Sequence, residues 1–307
     1  MLLEVSHLTK IYPGPPEIQA LKDINFSIQA GEILGLLGPN GAGKSTTIKI
    51  LISTLSPSSG DVKFNGLDIF KNRSKVLRDF GFASAYTNLP LFLTVRENLY
   101  VHGLMFGMRS ADIKTRIESF LKFFDIKGLE NRKISQLSAG QKTRVMLIRA
   151  FLTRPRLALL DEPTASLDPD IAFEVRDFIL EEKKREQIAV LFTSHNMHEA
   201  SKLCDRVIFL NAGRIIAENS PAQLAATVGE STLRLRPASP QSLEQHLVGK
   251  ALKFTENRGL YSIALPSNDP SSCVRELCRL GIDFSELSLS EPSLEDYFIS
   301  QIRSHER

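Results

Sequence analysis

The sequence predicts an α/β fold followed by a small α+β domain, and three observations predict it. The runs at 33–37, 157–160 and 188–193 are continuously apolar, as strands buried on both faces are. Helical stretches alternate with these runs, the pattern of a doubly wound sheet whose ligands sit at the carboxyl ends of its strands. Past residue 225 the texture changes to short strands and helices with no long apolar run.

Taken in order, strands are expected at 2–8, 24–28, 32–37, 62–65, 157–161, 188–194 and 206–213. Helices are expected at 44–55, 96–107, 111–124, 141–153 and 170–185. This first domain spans 1–225. The second, 226–307, reads "STLRLRP" as a strand, "PQSLEQHLVG" as a helix, "LKFTENRGLYSIALP" as a hairpin and "PSSCVRELCRLG" as a helix. "IDFSELSLS" then reads as a strand and "PSLEDYFISQIR" as a last helix, an order that resembles a ferredoxin-like βαββαβ unit.

Composition narrows the function. The 307 residues are 42% hydrophobic, enough for a sizeable core, and carry a formal net charge of +3 with the two signs interspersed. A nucleic-acid binder would gather its cations on one face, so no nucleic-acid partner is expected. No apolar run approaches the roughly 18 residues that would indicate a membrane span. The start, "MLLEVSHLTKIYPG", is too polar for a signal peptide. A cytoplasmic chain is expected, one that meets a membrane only through a partner. Cys204, Cys273 and Cys278 suit a reducing compartment, and the spacing of the last two does not favour a zinc pair. His7, His102, His198, His246 and His305 belong to no motif.

"GPNGAGKST", Gly38 to Thr46, fits the phosphate-loop pattern, and it lies between an expected strand and an expected helix. The chemistry explains the residue types. Gly38, Gly41 and Gly43 let the backbone of Pro39, Asn40 and Ala42 curl so that N–H groups point inward at phosphate oxygens. The helix N-terminus adds its positive end. Lys44 brings a cation to the β- and γ-phosphates, and the Ser45 hydroxyl can ligate Mg²⁺. The ligands expected are therefore ATP and Mg²⁺.

"RLALLDEPTASLD" places Asp161 and Glu162 just past a buried strand. An aspartate there can hold a Mg²⁺-bound water, and the glutamate beside it can orient or deprotonate an attacking water. Such a pair alone could simply cap a helix. Here "LSAGQ" at 137–141 opens a helix upstream and "TSH" ends a strand at His195 downstream. With these motifs the chain resembles the ATP-binding subunit of ABC transporters over about residues 1–225. That family's helical subdomain would fall at about 86–135.

The resemblance implies that two subunits, expected to be copies of one chain, pair head to tail and sandwich two ATP molecules. The signature of one, departing from the usual form only at Ala139, would then face the phosphate loop of the other. Ser138, Gly140 and Gln141 would present their hydroxyl and N–H groups to the γ-phosphate. It also implies that His195 contacts that phosphate, that Asp168 of "SLD" crosses between subunits, and that Tyr12 stacks on adenine. Without the family, Tyr12 could equally pack against the sheet. Hydrolysis would loosen the pair and so drive an integral membrane permease from the inner face of the cell membrane.

A second position departs from the family pattern more seriously. The loop at 79–98, "DFGFASAYTNLPLFLTVREN", usually supplies a glutamine to Mg²⁺ and the attacking water, and Ala85 stands there instead. Because Lys44, Glu162 and His195 are retained, an active but slower or differently coupled ATPase is expected, with Asn88 or a water in the glutamine's place. The "LPLFL" run at 89–93 is either core or part of the groove that receives the permease. "EPSLEDYF" at 291–298 resembles the C-terminal motif of ABC-2 type exporter ATPases, whose cargoes are drugs, sodium, polysaccharides or lipids. The rival readings are a soluble ABC ATPase and a nucleotide sensor that does not hydrolyse.

Overall fold

A computed structural model describes residues 1–84, 89–165, 167–227, 230–250, 252–266, 270–290 and 292–305. Ala85 and Asn88 therefore lie outside the described residues, as do Ser166 of "SLD" and Glu291 of "EPSLEDYF". The chain divides into two compact units, Met1–Ser220 and Pro221–Arg307.

The first unit opens with β1 (Leu3–Tyr12), β2 (Ile18–Ile28), β3 (Ile33–Leu37), α1 (Lys44–Leu51), β4 (Ser59–Phe64), β5 (Leu67–Asp68) and α2 (Arg73–Val76). β6 (Phe80–Ser84), α3 (Val95–Met105), α4 (Ser110–Phe123), α5 (Ala139–Leu152) and β7 (Leu157–Asp161) follow. It closes with α6 (Pro169–Glu186), β8 (Ala189–Ser194), α7 (Met197–Leu203), β9 (Arg206–Asn211) and β10 (Arg214–Asn219).

A six-stranded sheet, ordered β10-β9-β3-β8-β7-β6, forms the centre. β3, β7 and β8 are buried along their whole lengths and pair in parallel, as their apolar runs predict. β10 joins the edge antiparallel to β9. A second sheet, β2-β1-β4-β5, is antiparallel.

The sequence reading misses β5, β6, β10, α2 and α7. β6 escapes it because Gly81 interrupts a short strand, and packing explains the glycine. A Cβ at Gly81 would lie 2.1 Å from the carbonyl of Ala150, so α5 crosses the strand backbone directly. β10 escapes because its three apolar residues, Ile215, Ile216 and Ala217, form too short a run between polar ones and none of them is buried. The hairpin before it turns at Ala212 and Gly213, both at positive φ.

α3, α4 and α5 lie between β6 and β7 in the chain. A Thr94–Glu97 capping box starts α3, and a Ser138–Gln141 capping box starts α5. The helices meet an aromatic cluster on α6: Phe178 touches Phe120, Phe124 and Phe151 with ring centroids 5.3, 4.7 and 5.1 Å away. Buried Arg116 on α4 adds bonds to Glu186 at 3.1 Å and to the Phe151 carbonyl at 3.0 Å.

His102 on α3 packs on Phe106, and burial, helped by the nearby Arg149 charge, pushes its pKa down to about 4. The unfolded chain binds this proton first as pH falls, because the ordinary value is near 6.5. The contribution to stability is thus complete above pH 6.5 and is lost as pH falls towards 4, by about 2–3 kcal/mol. Urea unfolding at pH 7 and pH 4.5 should show a steeper loss for the wild type than for His102→Leu.

The second unit contains α8 (Pro221–Ala226), β11 (Glu230–Pro237), α9 (Pro240–Gly249), β12 (Phe254–Asn257), β13 (Leu260–Pro266), α10 (Pro270–Arg279), β14 (Phe284–Ser290) and α11 (Leu294–His305). Its sheet is antiparallel and ordered β12-β13-β11-β14. The split βαββαβ order matches the ferredoxin-like expectation. Leu233, Leu235, Leu243, Leu247, Ile263 and Leu277 fill its core.

No helix is long and apolar enough to cross a membrane among the described residues. The three cysteines are free thiols.

Candidate functional site

The carboxyl ends of β3, β7 and β8 bring the distant sequence motifs to one place. From β3 the chain runs through Gly38–Gly43 into α1, and two glycines are there of necessity. Gly38 has φ 152°, and a Cβ would meet the Leu210 carbonyl at 2.1 Å; Gly43 has φ 112°, and a Cβ would meet the Ala20 carbonyl at 2.7 Å. Gly43 is the N-cap of α1 and no side chain caps it, so the first-turn N–H groups face outward from a positive helix end.

Lys44 folds back along this loop and is buried. Its Nζ donates to the carbonyls of Gly38 at 2.7 Å and Pro39 at 3.1 Å, and lies 3.7 Å from Glu162 Oε1. Burial pushes its pKa down, and the carboxylates of Glu162 and Asp161 oppose the shift. Thr46 is tied to Tyr12, the two hydroxyl oxygens being 3.5 Å apart, while Lys10 sits 5.4 Å from the Tyr12 ring centroid.

Asp161 ends β7 and is buried, accepting from the Thr193 hydroxyl at 2.7 Å. Glu162 follows in the left-handed region at φ 49°, a conformation that costs a non-glycine residue of order 1–3 kcal/mol unless its surroundings enforce it. They do: its N–H donates to Thr193 Oγ1 at 3.0 Å, and its carboxylate spans from Lys44 to His195 Nδ1, 3.0 Å from Oε2. The result is a cavity of 380 Å³ lined by Asn40 to Thr46, Glu162 and His195, together with Ala20 and Ala165.

The remaining predicted residues stand apart from this cavity. The Ser138 hydroxyl accepts from the Gln141 N–H at 3.3 Å, and the Gln141 side chain accepts from the Ser138 N–H at 3.0 Å. Gly140 lies against α6, where a Cβ would come within 2.7 Å of Ile171. Asp168 is the exposed N-cap of α6 and makes no side-chain capping bond. Sequence reasoning missed Ala20, Thr164, Thr193 and Glu199. Thr164 and Thr193 lie inside the "RLALLDEPTASLD" and "TSH" stretches without a role of their own, while Ala20 and Glu199 belong to no motif.

The family model described as ABC transporter matches residues 21–165. The chain is 36% identical to the Nod factor export ATP-binding protein I of Rhizobium johnstonii, over 97% of this chain and 93% of that one. It belongs to the ABC transporter ATP-binding family. As an ABC ATPase subunit it also shares 37% identity with the ABC transporter ATP-binding protein NatA of Bacillus subtilis, over 65% of this chain and 81% of that one.

Among solved ABC structures it resembles the dimeric post-hydrolysis state of the cassette MJ0796 bound to ADP and Pi, with a TM-score of 0.65 and 27% identity. That match covers 71% of this chain and 98% of the other. CbiO1 of Clostridium perfringens, part of the CbiONQ transporter complex, matches with a TM-score of 0.65 and 30% identity, over 73% and 90% of the two chains. The ABC ATPase fold expected from the phosphate loop and signature is therefore present, and the chain is an ATPase of this family.

Proposed function

We propose that two copies of this chain pair head to tail around two ATP molecules and power an ABC-2 type exporter through a membrane permease. The convergence of Lys44, Glu162 and His195 on the uncapped start of α1 carries this reading. Loop N–H groups and Lys44 hold the β- and γ-phosphates. Tyr12 offers adenine the ring face opposite Lys10.

The donor set fits Mg²⁺, which binds through one or two protein oxygens and the substrate phosphates. Ser45 at the head of α1 and Asp161 at the end of β7 are hard oxygen donors of this kind. When bound there, the ion would neutralise charge developing on the phosphates. Asp161 is fixed for the task by its bond from Thr193.

Glu162 takes the proton of the attacking water as its oxygen closes on the γ-phosphorus and the bond to ADP breaks. His195 orients that carboxylate through Nδ1. The mate contributes Ser138, Gly140 and Gln141 at the N-terminus of α5. Ser138 accepts its capping bond and so keeps its own O–H proton to donate to the γ-phosphate. Asp168 reaches across from the start of α6. Hydrolysis removes the phosphate both chains share, and the pair loosens.

The 89–93 run is partly buried and partly exposed. Leu89 is buried, whereas Leu91 and Phe92 are exposed, Phe92 by 85%. Val101, Leu104 and Met105 on α3 are exposed too. Apolar surface of this kind suits a permease contact. Phe92→Glu should keep the circular dichroism of the wild type but lose co-purification with membranes carrying the co-expressed permease. Retention equal to wild type would remove this face from the proposal. Export is the reading favoured by the relative named for Nod factor export.

A further inference from the structure

We propose that Glu199 is a positioning residue for hydrolysis, tying together the two chain segments that carry Glu162 and His195. The inference rests on those two residues forming the hydrolytic pair. Glu199 lies on α7, in neither the phosphate loop nor the acidic pair, and is 8% exposed.

Its Oε2 accepts from the Thr164 hydroxyl at 2.7 Å and from the Ser194 hydroxyl at 3.5 Å. Thr164 lies two residues after Glu162, and Ser194 immediately precedes His195. One carboxylate oxygen thus gathers the exits of β7 and β8. The contacts beyond it are directional. Ser194 Oγ accepts from the Asn196 N–H at 2.9 Å, and Asn196 Oδ1 accepts from the Glu199 N–H at 3.1 Å, which starts α7. The hydroxyl of Ser194 therefore receives one bond and gives another, with the carboxylate at the end of the chain.

A carboxylate this buried is expensive unless its acceptors are filled, and burial does push the Glu199 carboxyl up. The two hydroxyl bonds oppose that shift. The reward is geometric. Glu162 sits in a left-handed backbone conformation that only its surroundings enforce. Thr193 holds the N–H side of Glu162, and Glu199 holds the residues that follow, through Thr164. Glu199 also lines a 480 Å³ cavity that shares Glu162, Ala165 and His195 with the phosphate cavity, so it stands directly behind the pair.

A misplacement of about 1 Å at a catalytic group costs on the order of a hundredfold in rate. Glu199→Ala is therefore expected to lower kcat at least about tenfold with KM for ATP within about twofold. Glu199→Gln keeps a carbonyl acceptor for both hydroxyls and should restore most of the rate. Thr164→Val, nearly isosteric, should reproduce the loss if Glu199→Ala does not fold.

Amide hydrogen exchange of the nucleotide-free chain gives an independent readout. Peptides covering 162–168 and 194–199 should exchange faster in Glu199→Ala and Thr164→Val, while the β3 and α1 peptides stay unchanged. Wild-type kcat in Glu199→Ala, or unchanged exchange in both segments, overturns the proposal; where turnover is too slow to measure, exchange alone decides. Glu162→Gln separates the two levels. Turnover surviving that change sinks the hydrolytic pair itself, whereas its loss beside an unaffected Glu199→Ala sinks only the positioning role.

Discussion

Glu162→Gln is expected to lower turnover about a thousandfold while ATP affinity changes by no more than about threefold, within the range that a positioned general base contributes. The amide is close in size and can keep contact with His195, which the carboxylate meets at 3.0 Å. It cannot accept a proton from water, so only the chemical step suffers. Steady-state hydrolysis and calorimetric ATP titration of the same preparation separate the two. Turnover within about tenfold of wild type would mean that another group removes the proton.

Lys44→Ala should instead weaken ATP binding about a hundredfold, because charge-assisted bonds to phosphate are each worth about 1.5–3 kcal/mol. The ammonium is positioned in advance by the Gly38 and Pro39 carbonyls. Its removal also leaves Glu162 without the cation 3.7 Å away. Lys44→Arg should not rescue binding. A planar guanidinium cannot reproduce the bonds by which the compact ammonium is held to the Gly38 and Pro39 carbonyls. An affinity within about threefold of wild type for Lys44→Ala, read by the same titration, would contradict the assigned role.

How far the sequence reaches can be judged residue by residue. β3, β7 and β8 are legible because strands buried on both faces need unbroken apolar runs. The phosphate loop is legible because backbone curvature demands glycines at fixed spacing. That Glu162 and His195 serve one site is legible only through the family resemblance, and their direct contact is not legible at all, since parallel strands bring 162 and 195 together without any local signal. β6 is hidden because Gly81 serves the crossing of α5 rather than strand propensity. The "LPLFL" run could not be divided into buried Leu89 and exposed Phe92, because five successive apolar residues carry no periodicity. The roles of Thr164, Thr193 and Glu199 are illegible for a related reason. Each matters only through a partner on another element, and hydroxyl-to-carboxylate contacts leave no spacing to read.

The Ser138–Gln141 pair shows a different limit. Its S-x-x-Q spacing marks the start of α5, and the capping bonds of the structure account for it within one chain. In the pairing proposed above, a second chain would bring a phosphate to that helix end. The most direct test is Mg²⁺-ATP hydrolysis by the purified chain as a function of its concentration. Turnover per chain that rises with concentration and then levels off is the predicted result. Turnover per chain that stays constant down to the lowest concentration, with the protein sedimenting as a monomer throughout, would contradict it.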